Sequence, residues 1–167
     1  EIEYVMGDKS TRWGAQRAKD GHPEPFKLHY VEIGNEDNLG AGMGTYDARF
    51  AVFAQAIRAK YPQLELISSA GDRPLKTVQP DLQDEHHYPS SVGASLALAN
   101  SFDKRPRTGP KVFVGEWATR IGSPTPQFSA AMADAAFMCG IERNADLVKM
   151  FCYAPLLVNV SDLADRQ

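Results

Sequence analysis

The sequence lacks the features that mark membrane-spanning, nucleic-acid-binding and disulfide-rich proteins. No apolar run approaches the roughly 20 residues that are needed to cross a bilayer. The formal net charge is −3, so no excess of positive charge is available for a phosphate backbone. We therefore expect neither a membrane nor a nucleic acid as a partner.

Cysteine is scarce, with only Cys139 and Cys152 in 167 residues. Cys139 lies in a helical pattern and Cys152 in a strand pattern, and apolar residues surround both. We expect both to be small buried side chains rather than partners in a disulfide.

Apolar runs of two different periods alternate along the chain. Strands are predicted at residues 27–34, 64–69, 81–88, 111–115 and 147–153. Helices are predicted between them, and residues 8–26 are expected to form a long loop because they are rich in glycine, proline and charge. This alternation predicts an α/β fold with a parallel sheet.

The last predicted helix has a stripe of residues at helical spacing, and we expect the apolar part of this stripe to face the core. The stripe comprises Phe128, Ala131, Met132, Ala135, Cys139 and Glu142.

Two predicted strands end in a glycine followed closely by a glutamate, namely Glu36 after Gly34 and Glu116 after Gly115. The carboxyl ends of parallel strands meet at one rim of a barrel. A retaining glycosidase needs two carboxyl groups about 5 to 5.5 Å apart. We therefore expect Glu36 and Glu116 to face each other across one cleft. A glycine-rich phosphate loop is absent, which favours part of a (β/α)8 TIM barrel over a doubly wound sheet.

Four blocks in order along the chain resemble the α-L-arabinofuranosidases of glycoside hydrolase family 51, a member of clan A of barrel glycosidases. The blocks are YVEIGNE at residues 30–36, DEHHY at 84–88, VFVGEWA at 112–118 and IERNADL at 141–147. The Asn-Glu pair is shared across that clan, but the four blocks together are specific to the family.

The resemblance implies a role for each matched residue. Glu36 would end the fourth barrel strand as general acid/base, and Glu116 would end the seventh strand as nucleophile. Asn35 would hydrogen-bond the sugar 2-hydroxyl, an interaction expected to strengthen in the transition state. His86 and Tyr88 match the pair on the sixth strand, where the tyrosine hydroxyl is expected to orient the nucleophile.

Side chains alternate between the two faces of a strand, so residues next to each other in the sequence lie on opposite faces. His86 and Tyr88 share one face of a strand and His87 lies on the other, so Glu85, His86 and His87 are not expected to form a metal site. Trp117 follows the second glutamate, and it either forms a wall of the sugar pocket or belongs to the barrel core.

The resemblance covers nearly all of the chain but only strands four to eight of the family's barrel. Residues 1–167 are therefore expected to form the C-terminal part of the catalytic barrel, without its first strands and accessory β-sandwich. The expected partners are an arabinose-containing oligo- or polysaccharide and either the missing half-barrel or a second copy of the chain. No cofactor is implied, and a plant-polysaccharide substrate favours a secreted or periplasmic location.

The implied function is retaining removal of non-reducing terminal α-L-arabinofuranosyl residues from arabinan, arabinoxylan or arabino-oligosaccharides. Two alternatives stay open, which are a clan A glycosidase that acts on a pyranoside and an incomplete, non-catalytic carbohydrate-binding fragment. Selectivity for the substrate chain would reside in the loops beside the two glutamates, at residues 38–44 and 122–126.

Overall fold

The strands form one parallel sheet in the order β1-β2-β3-β4-β5. The structure is a computed structural model, and it describes residues 1–122 and 126–156. The strands are β1 (Tyr30–Ile33), β2 (Glu65–Ser68), β3 (Leu82–His87), β4 (Lys111–Trp117) and β5 (Val148–Tyr153). Sequential parallel strands with helical connections form part of an α/β barrel, as the sequence predicts.

Five α-helices accompany the sheet in the part of the chain that the structure describes. They are α1 (Ile2–Met6), α2 (Arg12–Lys19), α3 (Tyr46–Lys60), α4 (Val92–Ser101) and α5 (Phe128–Arg143). Short 3-10 helices, Ala41–Thr45 and Phe102–Lys104, precede α3 and follow α4. Thr11 and Ser91 cap α2 and α4, because each side chain accepts a hydrogen bond from a backbone N–H in the first turn.

Helix α2 shows that the prediction of a loop throughout residues 8–26 was wrong. The helix is held by Arg17, which is fully buried and donates hydrogen bonds to the carbonyl oxygens of Tyr4 and His22. A buried arginine gives no apolar periodicity, so this helix was not visible in the hydrophobic pattern.

The core lies between the sheet and the helices in two clusters. The first cluster packs α3 against β1 and β2 through Phe50, Ala54 and Leu66. The second packs α4 and α5 against β4 and the start of β5, and it comprises Ala99, Phe102, Val112, Val114, Trp117, Phe137, Ile141, Leu147 and Val148. The helices therefore cover one face of the sheet and leave the other face to the polar residues described below.

The prediction that the apolar stripe of α5 faces the core was wrong. Phe128 is 80% exposed, and Met132 and Cys139 are also exposed. The buried face instead contains Phe137 and Gly140, and a Cβ atom at Gly140 would lie 2.8 Å from the Ala99 Cα atom of α4. Helix α5 is apolar on most sides, so periodicity could not identify the buried face, and the close crossing with α4 selects it.

The expectation that both cysteines are buried was also wrong. Cys139 lies on the exposed face of α5, and Cys152 lies on β5, the last strand of the sheet. Both thiols are free.

No helix within residues 1–122 and 126–156 is long and apolar enough to cross a membrane. The predicted selectivity loop at residues 122–126 lies largely outside the described residues.

Candidate active site

Glu36 lies just beyond β1 in an unusual backbone conformation. Its φ is 51°, which makes it the one non-glycine residue with positive φ in the described part of the chain. Gly34, two residues earlier, has φ 102°. The strand therefore ends in a sharp turn that exposes Asn35 and brings the Glu36 carboxylate to His86 of β3, at a cost that the surroundings must offset.

Asp37 holds this turn in place. Its Oδ2 accepts hydrogen bonds from the Asn35 backbone N–H, at 3.2 Å, and from the Ser69 hydroxyl, at 2.8 Å. Its Oδ1 forms an ion pair with Arg49 at 2.7 Å. Contacts with the turn itself, with Ser69 after β2 and with Arg49 of α3 thus fix the segment that carries Glu36.

Glu116 reaches the cleft through an irregularity in β4. Strict alternation would place Glu116 on the same side as Val114, which faces the helices. In the pairing of β3 with β4, Asp84 lies opposite Phe113, but His86 lies opposite Glu116. Two residue steps along β3 therefore pair with three residue steps along β4. The extra residue in β4 forms a β-bulge, which turns Glu116 to the face away from the helices.

The same bulge decides the position of Trp117. Its side chain is 3% exposed and packs against Phe137 of α5 with 5.0 Å between ring centroids. Trp117 is therefore a core residue and not a substrate-binding wall of the pocket, because after the bulge it faces the helices as Val114 does.

One face of β3 supplies the side chains between the two glutamates. His86 Nδ1 lies 3.0 Å from Glu36 Oε1 and 3.5 Å from Glu116 Oε2, and its Nε2 lies 2.8 Å from Asp84 Oδ2. The Tyr88 hydroxyl donates to Glu116 Oε2 at 2.5 Å. The face that β3 turns away from the helices thus links both glutamates into one network.

The two glutamate carboxylates lie at the same rim, with one oxygen of each within 4.8 Å of the other and of a His86 ring nitrogen. Their side chains are 40% and 34% exposed, which leaves both accessible to a ligand. This spacing could also accommodate a metal ion, but exposed carboxylates and a histidine in hydrogen-bond contact occur commonly without one. We assign no ion to the site.

His87 lies on the opposite face from His86, as alternation predicts. Its ring packs edge-on against Phe102 and Phe137, and its Nε2 lies 3.1 Å from Glu85 Oε2. Glu85 is also paired with Arg105 at 2.7 Å. Glu85 and His87 therefore belong to a structural ion-pair cluster, separate from the cleft.

Burial and neighbouring charges shift the pKa values of three residues in and beside the cleft. Burial would lower the pKa of His86, but the hydrogen bond to Glu36 and the charges of Asp84 and Glu116 outweigh it and raise that pKa. Burial and the hydrogen bond to Glu116 raise the pKa of Tyr88 to about 12. Burial, followed by the proximity of Asp84, raises the pKa of Glu32 on β1 to about 8.

Sequence reasoning did not identify Asp37, Asp84 or Glu32 as parts of this site. Asp84 had a usable signal, since it precedes His86 by two residues in a strand and so shares its face. Asp37 and Glu32 had only their proximity to Glu36 along the chain. Their contacts depend on β2, α3 and β3, which no local pattern predicts.

Comparison with known proteins agrees with this geometry. Residues 1–107 match the family described as the α-L-arabinofuranosidase 1 domain, and residues 115–165 match the α-L-arabinofuranosidase C-terminal domain. The chain belongs to the α-L-arabinofuranosidases of glycoside hydrolase family 51. The gap between the two matches, residues 108–114, includes the first part of β4, yet β3 pairs with β4, so one sheet spans both matches.

Sequence relatives include fungal and plant members of the family. The chain is 42% identical over 160 residues to the probable α-L-arabinofuranosidase A of Aspergillus oryzae, which covers 94% of this chain and 25% of that protein. It is 40% identical over 162 residues to α-L-arabinofuranosidase 1 of Arabidopsis thaliana, which covers 96% of this chain and 24% of that protein. The chain thus spans about a quarter of these relatives.

Solved structures of the family share the fold. The arabinose-bound α-L-arabinofuranosidase MgGH51 superposes with a TM-score of 0.81 at 34% identity, over 96% of this chain and 27% of that one. The arabinose complex of the Thermotoga maritima enzyme superposes with a TM-score of 0.76 at 19% identity, over 93% of this chain and 39% of that one. The second likeness concerns the fold alone.

Proposed function

We propose that a complete enzyme carrying this chain is a retaining glycoside hydrolase that removes non-reducing terminal α-L-arabinofuranosyl residues from arabinan, arabinoxylan or arabino-oligosaccharides. The observation that carries the proposal is the approach of the Glu36 and Glu116 carboxylates to within 4.8 Å at one rim of a barrel sheet. This proximity suits direct attack by one carboxylate, because inverting pairs stand about 6.5 to 9.5 Å apart to admit a water molecule.

In the first step, Glu36 donates its proton to the glycosidic oxygen while Glu116 attacks the anomeric carbon, so that the sugar becomes an ester of Glu116. One oxygen of Glu116 accepts the Tyr88 hydrogen bond, which leaves the other oxygen for attack. In the second step, ionised Glu36 takes a proton from water, the water oxygen displaces Glu116, and the product retains its configuration.

Asn35 and His86 have supporting roles in this proposal. Asn35 lies exposed at the rim immediately before Glu36, where its amide can reach the sugar 2-hydroxyl. His86 contacts both glutamates, and its raised pKa favours an imidazolium that offsets the charge of Glu116 before the attack and that of Glu36 after it has given up its proton. The arabinofuranosyl specificity is inferred from the names of the relatives and from the arabinose bound to MgGH51.

We further propose that residues 1–167 form the C-terminal part of the catalytic barrel and that the remaining strands lie elsewhere in the protein. β1 and β5 each have one neighbour in the described sheet. A groove of about 640 Å³ runs beside β1, with Val31, Ile33 and Phe53 among its lining residues. In this proposal the groove and the open edge of β1 receive the preceding part of the barrel.

The test uses a complete enzyme that carries these residues. We expect it to release nitrophenol from 4-nitrophenyl α-L-arabinofuranoside and to leave the corresponding xyloside and glucoside intact. Proton NMR should show that the first arabinose released has the configuration of the substrate. Preferred hydrolysis of a pyranoside would indicate a different clan A activity, and an inverted first product would refute the retaining mechanism.

A further inference from the structure

Asp84 is buried beside the proposed nucleophile, on the same face of β3 as His86. Its side chain is 2% exposed, and its two oxygens have different partners. Oδ1 accepts a hydrogen bond from the Gly115 backbone N–H at 2.7 Å, and Oδ2 lies 2.8 Å from His86 Nε2. One carboxylate thus connects the backbone of β4 to the histidine that contacts both glutamates.

Gly115 lies in the part of β4 that departs from regular pairing with β3. The register shifts between Asp84 and His86, and their partners Phe113 and Glu116 are separated by two residues, Val114 and Gly115. A bulged residue loses its place in the hydrogen-bond ladder, and a buried backbone N–H needs another acceptor. The Asp84 carboxylate is that acceptor.

The fit between Asp84 and Gly115 leaves no room for a side chain at position 115. A Cβ atom there would lie 2.8 Å from Asp84 Cγ and would overlap the carboxylate oxygens. The φ of Gly115 is not positive, so the glycine is required by this close approach rather than by an unusual backbone conformation.

We propose that Asp84 is a positioning residue, which holds the β4 bulge through the Gly115 N–H and thereby keeps Glu116 turned into the cleft. This inference rests on the proposed role of Glu116 as nucleophile. Without an acceptor at position 84, β4 regains regular alternation, and the position after Gly115 turns toward the helices with Val114. The contact with His86 ties the same carboxylate to the histidine beside Glu36.

The first experiment compares Asp84→Ala with Asp84→Asn in a complete enzyme carrying these residues. Asparagine keeps an oxygen that can accept the Gly115 N–H, whereas alanine does not. We expect Asp84→Ala to lower kcat on 4-nitrophenyl α-L-arabinofuranoside about 100-fold, because misplacement of a reacting group by about 1 Å has an effect of that size. Asp84→Asn should recover most of this loss, and inhibition by arabinose should be nearly unchanged in both.

The second experiment is a double-mutant cycle. Gly115→Ala should lower kcat as strongly as Asp84→Ala, because the new methyl group displaces the carboxylate. In the Asp84→Ala background the same change should have little further effect, since its clash partner is gone. Fully additive losses would show that the two residues act independently and would overturn the proposal.

Asp134→Asn is the matched control. Asp134 is also a buried acid that accepts a backbone N–H following β4, from Thr119 at 2.9 Å, but it lies on the helix side. We expect this variant to lower Tm and leave kcat close to the wild-type value. If Asp84→Ala does not fold, Gly115→Ala and Asp84→Asn carry the comparison, and equal kcat values in the two would contradict the proposal.

A crystal structure of the Asp84→Ala or Gly115→Ala enzyme supplies a readout that does not depend on activity. We expect Glu116 to lie outside hydrogen-bond distance of Tyr88. An intact Tyr88–Glu116 contact together with wild-type kcat would refute the role of Asp84. If the wild-type enzyme does not hydrolyse any arabinofuranoside, the proposed function fails, while the position of Glu116 in the variants still decides the role of Asp84.

Discussion

The Tyr88 hydroxyl lies 2.5 Å from Glu116 Oε2, joining the residue that follows β3 to the carboxylate near the end of β4. Because the pKa of Tyr88 is raised to about 12, this hydroxyl stays protonated at neutral pH and donates to Glu116. The Arg120 guanidinium lies 3.8 Å from the centre of the Tyr88 ring and helps to hold the ring in place.

Tyr88→Phe removes this hydrogen bond and little else. A hydrogen bond to a charged group contributes about 1.5 to 3 kcal/mol, so kcat/KM on an aryl arabinofuranoside should fall roughly 10- to 100-fold. Tyr61→Phe, near the end of α3, is the control and should leave kcat/KM unchanged.

Glu116→Gly and Glu36→Ala should separate the roles of the two glutamates. Glu116→Gly should abolish hydrolysis and regain turnover with azide, which fills the vacated space and gives a product of inverted configuration. Glu36→Ala should spare the first step for substrates with good leaving groups, since these need little protonation. Product analysis by NMR and kinetics with a leaving-group series provide the measurements, and the opposite pattern would reverse the assignment.

Glu32→Gln should change how stability depends on pH. The pKa of Glu32 is raised from 4.5 to about 8, so the folded state holds a proton that the unfolded chain releases at lower pH. The stability contributed by protonated Glu32 is complete below about pH 4.5 and is lost as pH rises toward about 8. Glutamine resembles the protonated form of Glu32. Glu32→Gln should therefore raise Tm by an amount that grows as the pH rises from about 4.5 to about 8.

The measurement is the Tm difference between Glu32→Gln and wild type at several pH values in the complete enzyme. Glu65→Gln, an exposed change on the neighbouring strand β2, should give a difference that is nearly constant with pH. A constant difference for Glu32→Gln would show that Glu32 is ionised in the folded enzyme throughout the window.

Residues 1–167 expressed without the rest of the barrel should be aggregated, oligomeric or molten, and inactive. The edges of β1 and β5 present backbone groups that barrel closure would pair. Phe53, Phe128 and Met132 are large apolar side chains that remain exposed. Unpaired strand edges and exposed apolar side chains of this kind favour association.

Hydrodynamic size, cooperativity of melting and arabinofuranosidase activity test this expectation. A compact, active monomer with a cooperative transition would show that residues 1–167 need no further strands. Co-expression with the preceding half of the barrel should restore solubility and activity if those strands fit the groove beside β1.

The sequence was sufficient to predict five strands, their parallel order and the two glutamates at one rim, because strand and helix periods are local properties of the chain. It was not sufficient for α5, where apolar residues occur on most sides and the crossing at Gly140 selects the buried face. Helix α2 was missed because its buried residue is Arg17.

The orientation of Glu116 marks the limit of local reasoning most clearly. The run from Val112 to Trp117 predicts a strand that ends in a glutamate, but its alternation would turn Glu116 toward the helices. The cleft-facing orientation arises from a bulge whose free N–H is accepted by Asp84, 31 residues earlier in the chain. The sequence therefore determined which residues are present at the rim, and the pairing of β3 with β4 decided which way the carboxylate points, because that hydrogen bond exists only between packed strands.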